Sequence, residues 1–156
     1  ETAAESLREM GLTNWSTEVA DHRKIPVEDA SADLVISGWA FCYLAVWGGE
    51  AWKSALEDGL REIERIIRPS GTVIIIETLG TGEEKPNPPE HLSDYFAWLT
   101  KAGFERGWMR TDYRFESLDE AVELSTFFFG EKMGQKVREK EWQILPECTG
   151  IWCKRG

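Results

Sequence analysis

The chain is poor in the residues that build metal and redox centres. It holds two histidines, His22 and His91, and three cysteines, Cys42, Cys148 and Cys153. Zinc sites draw several such ligands together at short, regular spacings, and no such spacing occurs here, so no metal is expected. The cysteines form no C-x-x-C pair, and their odd number leaves one thiol over in any disulfide scheme, which predicts a reduced, cytoplasmic setting. Basic charge is also scarce. Eighteen lysines and arginines stand against 28 acids, for a net charge of −10. A phosphate backbone is bound by clustered cations, so nucleic acid is excluded as a partner. The basic residues present alternate with acids along helical stretches, the pattern of solvated helix faces. Long apolar runs are missing too: Leu34 to Trp47 is the longest, contains Ser37 and Gly38, and is too short for a bilayer. Nothing near the N-terminus has the form of a signal peptide, and no membrane partner is expected. Neither a Walker-type glycine–lysine loop nor a G-x-G-x-x-G occurs, which argues against the nucleotide-binding modules those loops define.

What is present reads as one α/β domain over residues 1–156. Apolar residues make up 42% and charged residues 29%, enough to bury a core and keep a wet surface. The chain opens on Glu1 rather than methionine, and is expected to be a processed or partial piece of something longer. Thr2–Met10 predicts a short helix stopped by Gly11, and Thr17–Asp21 a weak strand. Pro26–Ser31 is a connection. Leu34–Ile36 is a continuous apolar run, the pattern of a parallel strand covered on both faces. In Glu50–Arg68 the residues Trp52, Leu56, Leu60, Ile63 and Ile67 recur at helical spacing, and Pro69-Ser70-Gly71 ends that helix. Val73–Ile76 is β-branched throughout, again a buried strand. Gly80–Glu90 reads as a loop and His91–Ala102 as a helix stopped by Gly103. Glu105–Phe115 alternates as a strand. Ser117 and Glu120 make a capping box that starts a helix running to Phe129 and halted by Gly130. A polar helix over Glu131–Glu141 and a strand over Thr149–Lys154 follow. Strands separated by helices give a layered α/β fold.

Three stretches set the order of these elements: Asp21-His22-Arg23-Lys24-Ile25-Pro26, then Ala32-Asp33-Leu34-Val35-Ile36-Ser37, then Arg68-Pro69-Ser70-Gly71 running into Thr72–Glu77. In this order and spacing they resemble the middle and C-terminal part of class I S-adenosylmethionine-dependent methyltransferases, specifically the branch of the ubiquinone and menaquinone C-methylases. The resemblance implies a Rossmann-like methyltransferase sheet ordered 3-2-1-4-5-7-6 with the seventh strand antiparallel. Thr17–Asp21 would be its third strand, Leu34–Ile36 the fourth, Val73–Ile76 the fifth, Glu105–Phe115 the sixth and Thr149–Lys154 the seventh. The family's opening strand and glycine-rich turn, which hold the methionine end of the cofactor, are not in the sequence. The sheet is therefore expected to be incomplete on its N-terminal side. Strand four would have an open apolar edge, covered by a missing N-terminal segment, a partner or a second copy in a homodimer.

The resemblance also names candidate residues. It places Asp21 as the acceptor for the adenine amino group of S-adenosylmethionine and His22 as the backbone contact to the ring. A turn-forming aspartate ahead of a basic tripeptide is the competing explanation for Asp21. Ser37, Gly38 and Trp39 follow the fourth strand at the carboxyl edge where open α/β sheets bind ligands, and count as cofactor-binding candidates. Trp39, Phe41, Tyr43 and Trp47 form an aromatic patch suited to a sulfonium or a flat apolar substrate, with ordinary core packing as the alternative. Trp39 and Tyr43 are substrate-binding candidates on that basis. Glu77, at the end of the fifth strand, could orient or deprotonate a methyl acceptor, or be a solvated strand-end acid. Tyr113 is a fourth substrate-binding candidate. No catalytic residue can be named, because displacement at a methyl group rests largely on alignment in a dry pocket. The function expected is methyl transfer to a small molecule, as part of a longer protein. The rival is a non-catalytic subunit that no longer binds the cofactor.

Overall fold

The structure is a computed structural model that describes residues 2–155. Its elements run α1 (Thr2–Glu9), β1 (Ala32–Gly38), α2 (Cys42–Val46), α3 (Trp52–Ile66), β2 (Ile67–Thr81), α4 (Ser93–Lys101), β3 (Glu105–Arg110), β4 (Tyr113–Arg114), α5 (Leu118–Phe129), α6 (Glu131–Glu139), β5 (Ile144–Leu145) and β6 (Glu147–Arg155). Four strands form the main sheet in the order β1-β2-β6-β3. β1 and β2 are parallel, and β6 runs antiparallel to both β2 and β3. This is the Rossmann-like methyltransferase arrangement, with its 4-5-7-6 half present and the late antiparallel strand where it was expected. β1 is an edge strand.

α2, α3 and α4 lie against one face of this sheet. Along β2 burial alternates, with Val73, Ile75, Glu77 and Leu79 sealed and the residues between them half-exposed. The sealed side chains join Leu56 and Ile63 of α3, Tyr95, Phe96 and Leu99 of α4, and Trp152 of β6 in one core. Each large apolar side chain so buried contributes about 1.5–3 kcal/mol. On the other face Leu34 and Ile36 are 51% and 57% exposed. The run Leu34–Ile36 is thus covered on one face, not two. An apolar run records what a strand can bury, and the covering layer has to come from elsewhere.

Several boundaries move for local reasons. Thr17–Asp21 forms no strand; a single bridge between Asp21 and Lys24 is all that remains, and Val19 is fully exposed. Extended chain becomes a strand only with a ladder partner, and none lies beside it. Pro69-Ser70-Gly71 is part of β2 rather than a stop, since the chain is already extended at Ile67. The register slips between Ala32↔Ile67 and Leu34↔Thr72, and this bulge absorbs the proline, which cannot donate to a ladder. The stretch Glu105–Phe115 splits at Thr111-Asp112, so Tyr113 belongs to a separate two-stranded sheet with β5. That small sheet packs with α5 and α6 around Ala121, Val137 and Leu145. The capping box is half-made: Ser117 Oγ accepts the Glu120 N–H at 3.1 Å, while Glu120 Oε2 accepts from Glu116 N–H instead. No helix among the described residues is long and apolar enough to cross a membrane.

Candidate functional site

Where a third strand was expected, irregular chain is held to α3 by side chains. Glu62 Oε1 accepts the Ile25 N–H at 2.7 Å, and Arg65 donates to the carbonyls of Ile25 (3.0 Å) and Val27 (2.9 Å). Arg65 also pairs with Glu62 and Asp29. The hydrogen bond from Arg65, aided by the Ile25 N–H, holds the Glu62 carboxyl down to about 2. The charges are thus locked on, and the segment before them is positioned without a ladder.

That segment delivers Asp21 and His22 to an open hollow of about 380 Å³. Asp21, His22 and Arg23 form one side, and Tyr43, Leu44 and Trp47 the other. The rings of Tyr43 and Trp47 stack at 4.3 Å and 19°. They are on the same side of α2 because residues four apart share a helix face. His22 sits edge-on to Phe41 at 6.3 Å. Asp21 is half-exposed, and Arg23 grips both its oxygens: Nε to Oδ1 at 2.8 Å and NH2 to Oδ2 at 2.7 Å, with the Arg23 backbone N–H also on Oδ1. These bonds keep its carboxyl well below the usual range. Asp21 is therefore a permanent acceptor of fixed direction; Oδ1 already accepts two bonds, and Oδ2, with one donor, keeps unused lone-pair capacity.

The other candidates divide. Ser37 and Gly38 end β1, Trp39 follows it, and none of the three lines the hollow. The Ser37 hydroxyl is buried without a hydrogen-bond partner among the described residues. Trp39 takes a left-handed conformation (φ 47°), costly for a bulky residue, with its N–H tied to the Ile76 carbonyl at 2.8 Å. Glu77 is neither at a strand end nor solvated. It is 1% exposed, and its Oε1 accepts the Cys42 N–H at 3.0 Å and the Tyr95 hydroxyl at 2.9 Å. Burial raises its carboxyl, the Tyr95 phenol and the Cys42 thiol, the last to about 12 with Glu77 adding to the rise. Glu77 thus anchors the first turn of α2 from inside the core. Tyr113 lies on the small sheet, its ring 5.8 Å from Phe129. Sequence reasoning passed over Arg23 and Tyr95. The two-residue spacing Asp21-x-Arg23 was a usable signal for the first, since such neighbours pair locally. Tyr95, eighteen residues from Glu77, carried none.

Residues 1–75, a little under half of the chain, match the family described as Methyltransferase domain. The structure is similar to solved methyltransferases over nearly its whole length. A SAM-dependent methyltransferase from Aquifex aeolicus aligns over 97% of this chain and 60% of its own, at 18% identity and TM-score 0.51. The chain shares the fold of this methyltransferase. The YcgJ protein of Bacillus subtilis aligns over 99% of this chain and 77% of its own, at 14% identity and TM-score 0.54. The [4+2]-cyclase SpnF aligns over 98% of this chain and 61% of its own, at 17% identity and TM-score 0.53. The domain thus spans about three-fifths of the Aquifex protein and of SpnF. No curated protein matches it in sequence.

Proposed function

We propose that this methyltransferase domain binds the adenosyl end of S-adenosylmethionine in the Asp21–Trp47 hollow and serves methyl transfer to a small-molecule acceptor, within a longer protein. The observation that carries this reading is one anionic acceptor facing two stacked aromatic rings, beside the carboxyl end of β1. The fit to the cofactor is partial and specific. An amino donor on a flat heterocycle finds an acceptor in Asp21 and a face in Tyr43 and Trp47. Nothing in the sequence supplies the glycine-rich turn for the methionine end.

The cofactor contributes an electrophilic methyl group on a sulfonium sulfur. The chain contributes placement. Arg23 fixes the Asp21 carboxylate, so the bound heterocycle meets an oxygen that needs no reorientation. The aromatic pair excludes water from one side, and its electron-rich faces favour a nearby cation. Glu77 holds the start of α2, on which both rings ride. The resemblance to the quinone C-methylase branch belongs to this reading as a proposal about the acceptor. The same hollow supports a second reading, a module that no longer binds the cofactor, because Arg23 already occupies Asp21.

Calorimetric titration with S-adenosylhomocysteine decides between the two. The first reading expects saturable binding that Asp21→Ala weakens about tenfold, the loss of one hydrogen bond to a charged group. Arg23→Lys should weaken it less. Heat of binding absent from the unaltered chain would leave the second reading standing.

A further inference from the structure

A second carboxyl group at the ligand edge of the sheet has no assigned task. Glu147 opens β6 opposite Thr81 of β2 and is 1% exposed. Its Oε1 accepts the Thr78 hydroxyl at 2.8 Å. Its Oε2 is buried and has no hydrogen-bond partner among the described residues. The backbone around it is pinned: the Glu147 N–H donates to Asp112 Oδ1 at 3.1 Å, and its carbonyl accepts the Thr111 N–H at 3.0 Å. Thr111 and Thr149 close the corner by a hydroxyl–hydroxyl bond. The side chain therefore cannot turn to water without opening the junction of β3 and β6.

Nearby cations are committed elsewhere. Arg110 forks onto Asp112 through Nε and NH2, and Lys136 donates to the Gly82 carbonyl and Glu83. Tyr113 is near enough that its phenol, raised first by burial, is raised further by the Glu147 charge. A carboxyl oxygen withdrawn from water with no donor is costly, and folded proteins leave few such atoms. Those that persist call for an explanation, and a bound donor is one. Here the oxygen lies where β6 begins, beside the carboxyl end of β2, the edge at which open α/β sheets receive ligands.

We propose that Glu147 Oε2 is completed by an N–H or O–H group of the methyl acceptor, with Thr78 holding the carboxyl in position and Tyr113 beside it. The proposal rests on the methyltransferase reading for what the ligand is, though not for whether Glu147 binds one. It limits the acceptor to small molecules that present a hydrogen-bond donor to a buried carboxyl.

Carboxyl-13C glutamate NMR on the whole chain tests this, with propylamine and phenol as the ammonium and hydroxyl probes. The Glu147 resonance is assigned by its loss in Glu147→Gln. One probe should shift it saturably, identifying the donor as N–H or O–H, and Glu147→Gln should weaken that probe's binding about tenfold. Thr78→Val with Glu147→Met guards against a misfolded single variant. It replaces the carboxyl and its partner by apolar groups of similar size, and should melt higher than the unaltered protein if the orphaned oxygen is kept for a ligand. A resonance unmoved by both probes overturns the proposal, whatever the melting point. S-adenosylhomocysteine, titrated in parallel with Trp fluorescence as readout, separates the two readings. If it binds while Glu147 stays silent, only this inference falls; if a probe shifts Glu147 while it fails to bind, only the cofactor reading falls.

Discussion

Tyr95→Phe tests whether Glu77 is a structural anchor. The substitution keeps the ring and removes the hydroxyl that donates to Glu77 Oε1 at 2.9 Å. Both partners are 1% exposed, so water does not replace the lost donor. A hydrogen bond to a charged group in such a setting is worth about 1.5–3 kcal/mol. For a chain of this size that is a fall in melting temperature of roughly 3–12 °C. The pH dependence follows from the direction of the Glu77 shift. Burial raises its carboxyl in the folded state, so the native protein holds this proton to higher pH than the unfolded chain does. Its stabilising contribution is full below the ordinary carboxylate value and declines as pH rises through the raised folded value. Glu77→Gln removes that titration yet keeps an oxygen for the Cys42 N–H and the Tyr95 hydroxyl. The variant should match the unaltered protein at about pH 5 and melt above it at about pH 8. In the Gln background Tyr95→Phe should cost only about 0.5–1.5 kcal/mol, as for a neutral bond. Melts followed by circular dichroism at both pH values read all four proteins. Equal costs of Tyr95→Phe in the two backgrounds, with an unchanged pH profile for Glu77→Gln, would refute the reasoning.

Three further outcomes follow from the packing. Leu56→Ala, at a fully buried position in the core under α3, should cost about 2–5 kcal/mol in chemical denaturation, the usual result of an unfilled cavity. Gly134→Ala sets two effects against each other: alanine favours a helix by about 1 kcal/mol, but its Cβ would press on the Thr126 side chain of α5. The clash wins because α5 and α6 pack there, and a lower melting point is expected; a higher one would mean that the helices separate freely. Leu34→Lys with Ile36→Lys, both exposed on the edge strand β1, should lower any concentration-dependent self-association seen by analytical ultracentrifugation while leaving the monomer's melting point nearly unchanged.

The sequence by itself determined the type and order of the longer elements, though not α2 or β5. Helical spacing in Trp52–Ile66, the β-branched run Val73–Ile76 and the glycine stops at Gly11, Gly103 and Gly130 are local properties, written within a few residues. The resemblance of their order and spacing to a known family placed β1, β2, β3 and β6 in the sheet. What depended on partners distant in the chain was settled only by the tertiary structure. Thr17–Asp21 is no strand because nothing pairs with it, and Glu77 is a core anchor because Tyr95 and Cys42 meet it there. Tyr113 left the main sheet for β5, and Glu147 acquired an orphaned oxygen where β2, β3 and β6 converge. An isolated carboxylate looks the same on a page whether water, an arginine or a buried phenol surrounds it. Its role is set by desolvation and by the donors within hydrogen-bond reach, and folding alone assembles those.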